Sequence, residues 1–138
     1  MKLILDASVI ISSLLGSKIN KELILSKSLK IYAPEYLLEE INKHKEEIQA
    51  FSKLSVNERN KLFEELKSKI KFVSKKQFDM FLSKANEIIS DKEDTEYLAL
   101  SLSMQNIPVW SNDTHFKEQL VVKIFTTSEL IEYLKSEL

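Results

Sequence analysis

Short apolar runs alternate with helix-patterned stretches along the whole chain, and the joints between them are short. The runs are KLIL (2–5), LKIYA (29–33), KFV (71–73), PVWS (108–111) and VVKIFT (121–126). Strands separated by helices cannot pair as hairpins. They run parallel and are joined by crossover helices, which predicts one domain over residues 1–138 with a mostly parallel central sheet in a three-layer α/β/α sandwich. The helical pieces carry their own signals. ASVIISSLL is closed by Gly16 at its C-terminal end, and INKELILSKS reads as a second short helix. Pro34 suits the first turn of a helix over 35–49. Ser55-x-x-Glu58 is a capping box opening a helix to about Ile70. Ser74-x-x-Gln77 is a second such box, opening a helix to about Ile89, and Thr126-x-x-Glu129 a third. The 35–89 stretch is long for simple alternation, which predicts a helical arm in the middle of the chain. TEYLALSLSMQ is apolar nearly all round and should be the central buried helix.

Composition narrows the chemistry. The chain has no Cys, one Gly and two His. Thiolate zinc sites, disulfides and thiol nucleophiles are excluded, as are the glycine-rich phosphate loops and the nucleophile elbow, which need at least two glycines. Two His cannot build a three-His zinc site. Carboxylates, hydroxyls and lysines are left. No apolar run approaches the about 18–20 residues of a bilayer span. Asp6 interrupts the apolar start and no cleavage site follows it, so no secretory leader is expected and the reading is cytoplasmic, with no membrane partner.

Ligands of open parallel sheets bind beyond the carboxyl ends of the strands. Asp6 follows the first strand directly, and Asp113 follows PVWS, one residue after Asn112. Two carboxylates converging on one edge repel unless a cation sits between them, and Mg²⁺ and Mn²⁺ suit such an all-oxygen cluster. Two helical acids can join. On the 35–49 helix, Leu37, Ile41, His44 and Ile48 form one stripe; at ~100° per residue Glu39 points away from it and Glu40 lies on its flank. Asp94 opens the central helix from a packed face. Each acid alone also has a structural role open to it: Asp6 and Asp113 as N-caps, Asp91 and Asp94 as cap and first-turn acids, Glu40 as a solvated charge.

Taken together, KLILDASVI, PEYLLEEI, DKEDTEYLALSL and VWSND with a Phe three residues on resemble the four motifs of PIN-domain nucleases, in order and spacing over essentially the whole chain. The resemblance implies an α/β/α fold and a Mg²⁺- or Mn²⁺-dependent nuclease that cuts RNA, single-stranded or structured. By motif, its acids are Asp6, Glu40, Asp94 and Asp113, with Ser8 and Asn112 supporting and Asp91 as a fifth ligand. Asp6, Asp94 and Asp113 would hold metal, and Glu40 would bind a second ion or orient the attacking water. The chain departs from the family at Thr114-His115, where many members place a basic residue, and at Ser101, where Ala is usual. Many small members are toxin halves of VapBC-type toxin–antitoxin pairs, usually dimeric, which makes an antitoxin protein and a homodimer the partners the resemblance implies. The competing classes are a non-catalytic PIN-like binding or scaffold module and a haloacid-dehalogenase-type phosphatase, which needs an acid where Ser8 stands. A phospho-receiver domain lacks its acid pair here.

Charge takes a different meaning in this light. Setting aside the four site acids takes the acidic count from 21 to 17 against 20 basic residues, a net of +3. Lys67, Lys69, Lys71, Lys75 and Lys76 fall in one acid-free stretch that either contacts phosphates or is a solvated Lys-rich turn. His115, beside Asp113, either touches substrate or is a surface-loop His. His44 either bonds Glu40 or is a satisfied, half-buried His.

Overall fold

Each apolar run forms the strand expected of it, although two of them are shorter than their hydrophobicity suggests. A computed structural model describes residues 1–137. The strands are β1 (Lys2–Leu5), β2 (Lys30–Pro34), β3 (Ile70–Val73), β4 (Val109–Trp110) and β5 (Ile124–Phe125). They make one sheet in the order β3-β2-β1-β4-β5, with every pairing parallel. Such strands are buried on both faces and read as continuous apolar runs; Leu3, Ile4 and Leu5 are fully buried.

The first crossover carries α1 (Ala7–Leu15) and α2 (Lys18–Ile24), the second α3 (Tyr36–Lys43), α4 (Lys45–Phe51) and α5 (Val56–Lys69). The third carries α6 (Leu82–Ile88) and α7 (Thr95–Ser103), and α8 (Thr127–Ser136) follows β5. Helix α1 packs against α2, α3, α4 and α5, whereas α7 lies on β1, β2 and β4 and packs against α6. Right-handed crossovers that step one way to β3 and then return past β1 to β4 put these two groups on opposite faces of the sheet. The helical arm is α4 and α5, and it lies back against α1 and α2. Helix α7 buries Tyr97, Leu98, Ala99, Leu100, Ser101 and Leu102, as an all-round apolar helix must. Gly16 closes α1 at φ 124°, a backbone conformation that favours glycine, and a Cβ there would stand 3.2 Å from Lys53 Cβ. No helix among the described residues is long and apolar enough to cross a membrane.

Four local expectations are corrected. Pro34 ends β2 instead of opening a helix; the register sets it opposite Val73, and Glu35 N–H, not a proline donor, bonds Val73 O at 3.2 Å. The 35–49 helix breaks at His44 (φ −99°, ψ 9°) into α3 and α4, and His44 Nδ1 meets Glu47 Oε2 at 3.1 Å, not Glu40. The capping box at Ser74 does not form. Ser74 makes no side-chain cap, and two 3₁₀ turns (Lys75–Gln77 and Asp79–Phe81) precede the shorter α6. Phe78 lies between those turns and is fully buried, so core packing takes precedence over the local signal. The last strand covers two residues, not six. The Gln119 amide satisfies the backbone N–H groups of Val121 and Val122 (3.0 and 2.8 Å) and the carbonyls of Phe116 and Val122 (3.0 and 2.9 Å), so this stretch needs no strand partner.

Candidate functional site

Strand order reverses between β1 and β4: β2 and β3 lie to one side, β5 to the other. That switch point opens a crevice at the carboxyl ends, and Asp6 and Asp113 leave the two strands that border it. Asp6 N–H is held by Trp110 O at 3.0 Å, which locks the two strand ends together.

Asp6 stands at the N-cap position of α1 but makes no side-chain cap bond. Its Oδ2 instead accepts the hydroxyls of Ser8 (2.6 Å) and Ser111 (2.8 Å). The cap role is therefore closed for Asp6, whose carboxylate is held by the Ser8 hydroxyl. Ser8 also occupies the place where the phosphatase alternative needs an acid. Asp94 likewise sits at the N-cap of α7 without capping it. It is 4% exposed, and its Oδ2 is buried with no hydrogen-bond partner. Asp113 is half-exposed and does take a local role: its Oδ1 accepts His115 N–H at 3.0 Å, capping the 3₁₀ turn Thr114–Glu118. Asp91 Oδ1 accepts Glu93 N–H at 3.0 Å in the turn before α7. Glu40 is buried while Glu39 is exposed, as the helical angle requires, and Tyr97 OH donates to Glu40 Oε1.

Electrostatics ties these groups into one space. Burial pushes Asp94 up to about 8, and the carboxylates of Asp91, Asp6, Asp113 and Glu40 add to the rise. Burial likewise pushes Glu40 up to about 7, against the lowering effect of the Tyr97 hydrogen bond. Asp6 is raised by burial despite the Ser8 and Ser111 hydroxyls. Acids raised by burial, and further by one another, would be relieved by a divalent cation, and every donor is a hard oxygen. The orphaned Asp94 Oδ2 is the observation that fits a metal best, since unpaired buried carboxylate oxygens are costly. Among the described residues no three His, Asp or Glu side chains are already drawn together as a ready-made metal site, so the fit rests on the donor set and on that oxygen.

The remaining expected residues separate. Asn112 bonds no acid: its Nδ2 donates to Thr127 Oγ1 (3.0 Å) and its Oδ1 accepts Thr127 N–H (2.9 Å). Thr127 Oγ1 also accepts from Trp110 Nε1 (3.1 Å) and donates to Asn20 Oδ1 (2.7 Å), so Asn112 ties the site loop to α8 and α2. His115 Nδ1 lies 3.1 Å from Asp113 and 4.0 Å from Asp91, at the exposed rim. The lysine stretch divides. Lys67 pairs with Glu64 at 2.8 Å and stacks on Phe63, Lys69 ends α5, and Lys71 lies within β3. Lys75 and Lys76 follow β3 at the carboxyl edge that also carries the acids. A groove of about 850 Å³ lined by Leu38, Ile41, Ile48, Val56 and Phe63 contains none of the acids.

Sequence reasoning passes over three groups. Ser111 donates to Asp6 and accepts Asp113 N–H (3.0 Å), linking the two strand-end acids; a hydroxyl between strand and acid is its signal. Tyr97, three residues after Asp94, is hidden in the all-round apolar pattern of α7. Lys43 Nζ meets Tyr36 OH at 3.1 Å, and its charge lowers Glu40.

A family model described as PIN domain matches residues 4–135. No curated protein matches the chain. Among solved structures, VapBC-1 from nontypeable Haemophilus influenzae is similar with TM-score 0.64 and 16% identity, over 93% of this chain and 99% of that one. VapBC2 from Rickettsia felis, bound to a DNA fragment from its promoter, gives TM-score 0.62 and 13% identity, over 91% and 98%.

Proposed function

The chain belongs to the PIN domain family, and from that premise we propose that it is a divalent-metal-dependent endoribonuclease whose site is Asp6, Glu40, Asp94 and Asp113. The observation that carries this reading is the convergence of the acids on Asp94, whose buried Oδ2 has no partner. Asp6, Asp94 and Asp113 would hold Mg²⁺ or Mn²⁺, with Asp91 at the margin. Such an ion lowers the pKa of water and stabilises charge on the phosphate and leaving oxygens.

The protein's own groups do the rest. Ser8 and Ser111 fix Asp6 by donating to one oxygen, and Ser111 sets the Asp113 backbone in the same stroke. Glu40 would bind a second ion or orient the attacking water. In-line attack by that water on phosphorus breaks the P–O3′ bond and leaves a 5′-phosphate and a 3′-hydroxyl. Lys75 and Lys76, on the same edge, and His115, at the rim, would meet phosphates of the RNA strand. The two structural relatives are VapBC proteins, so we extend the proposal to the toxin half of a toxin–antitoxin pair, with an antitoxin protein as partner.

Purified protein should cleave single-stranded RNA in Mn²⁺. Cleavage should fall at least about a hundredfold in EDTA, which strips the metal, or on Asp6→Asn, which removes one of its charged ligands. Full activity under either condition would sink the assignment. Metal binding without any cleavage would favour the non-catalytic module.

A further inference from the structure

Glu40 has the longest side chain of the four acids, and among the described residues nothing on its own helix bonds its carboxylate. It sits in the last turn of the short helix α3, just ahead of the break at His44. The cation on its own helix, Lys43, is turned toward Tyr36 at 3.1 Å. Among the described residues a single side chain bonds the Glu40 carboxylate, and it comes from 57 residues away: the Tyr97 hydroxyl, donating to Oε1.

Tyr97 is built to hold that position. It is fully buried. Its ring is gripped edge-on by Tyr36 (centroids 6.5 Å apart, 63°) and by Phe116 (6.2 Å, 83°), arrangements that aromatic quadrupoles favour. It lies three residues after Asp94 on α7, so one rigid helix carries both a proposed ligand and the group that grips Glu40. A phenol has one proton to give. Donating it to Oε1 leaves Oε2 without a protein donor among the described residues.

We infer that Tyr97 is a positioning residue for Glu40, fixing one carboxylate oxygen so that the other faces the site. The inference rests on the metal-dependent reading of that site. Outer partners that orient a ligand typically change metal affinity by 10–100-fold when removed.

The test is a double-mutant cycle read by calorimetric Mn²⁺ titration, with thermal unfolding of each metal-free variant alongside. Tyr97→Phe keeps the ring and removes only the hydroxyl. It should weaken Mn²⁺ binding about tenfold, whereas in the Glu40→Gln background the same change should have much less effect. A purely structural tyrosine would leave affinity unchanged, or lower it equally in both backgrounds, and either result overturns the inference. Wild-type protein that binds no Mn²⁺ at all overturns the metal reading and this inference with it, a distinct outcome. A second comparison leaves Tyr97 intact. The amide oxygen of Glu40→Gln still accepts the phenol proton, and Glu40→Ala strands it in the core. Glu40→Ala should therefore unfold several degrees below Glu40→Gln; equal unfolding temperatures would contradict the pairing.

Discussion

Replacing Asp94 with Asn should make the metal-free protein more stable while abolishing the RNA cleavage proposed for it. The two effects share one cause. Asp94 is buried with an unpartnered oxygen, and burial together with four neighbouring carboxylates pushes it up to about 8. At pH 8.5 most of that group is ionised, so the folded state carries a charge that nothing in the protein neutralises. An amide of the same shape removes the charge and relieves Asp6 and Glu40 as well, at the smaller cost of an imperfectly bonded amide. The expected gain is about 1–3 kcal/mol, which in a chain of this size raises the unfolding temperature by several degrees. Cleavage should fall at least about a hundredfold. Thermal unfolding in EDTA at pH 8.5 reads the first effect and an RNA assay in Mn²⁺ the second. A clear fall in unfolding temperature would show that the charge of Asp94 is satisfied by something other than metal.

Metal-free protein should also lose stability as pH rises from about 4 to about 8, the reverse of ordinary acid denaturation. Asp6, Glu40 and Asp94 all have folded-state pKa values above those of the unfolded chain, with Glu40 near 7 and Asp94 near 8. Between the unfolded and folded values the native protein holds protons that the unfolded chain has released. Stability from these groups is therefore complete below about pH 4 and lost as pH climbs through 7 and 8. Glu129 works the other way: its hydrogen bond from Lys117 lowers it to about 2, so what it contributes is lost only in stronger acid. The optimum should lie near pH 4, with an unfolding temperature roughly 5–10 °C lower at pH 8 in EDTA. Saturating Mn²⁺ should recover that loss at pH 8, since an ion that binds only the folded protein stabilises it. An unfolding temperature that is flat or rising from pH 5 to 8 without metal would be incompatible with the strained acid cluster.

The parts of this site that local rules govern are legible in the amino-acid sequence. Asp6 after a buried strand, Asp94 at the head of an all-apolar helix and the choice of Glu40 over Glu39 follow from strand position, helical angle and the cost of buried charge. The capping boxes at Ser55 and Thr126 form as written. The same pattern at Ser74 fails because Phe78 is drawn into the core, and no local rule weighs a cap against a buried aromatic. Periodicity also runs through the break at His44, since Leu37, Ile41 and Ile48 still face the core on either side of it. What no pattern reveals is which groups hold the acids. The Ser111 bond to Asp6 spans 105 residues, the Tyr97 bond to Glu40 spans 57, and Asn112 grips Thr127 on α8. Such pairs exist only once the strands have chosen their order.

The most direct test of the four-acid metal site is a calorimetric Mn²⁺ titration of the apo-protein at pH 7.5, run in two buffers of different ionisation enthalpy. Ligands that are partly protonated must release protons as the ion binds. The wild-type protein should bind Mn²⁺ with a heat that differs between buffers, reporting about one proton released per ion. Asp6→Asn and Asp94→Asn should bind at least about tenfold more weakly. Absence of binding, or binding untouched by either substitution, would contradict the account.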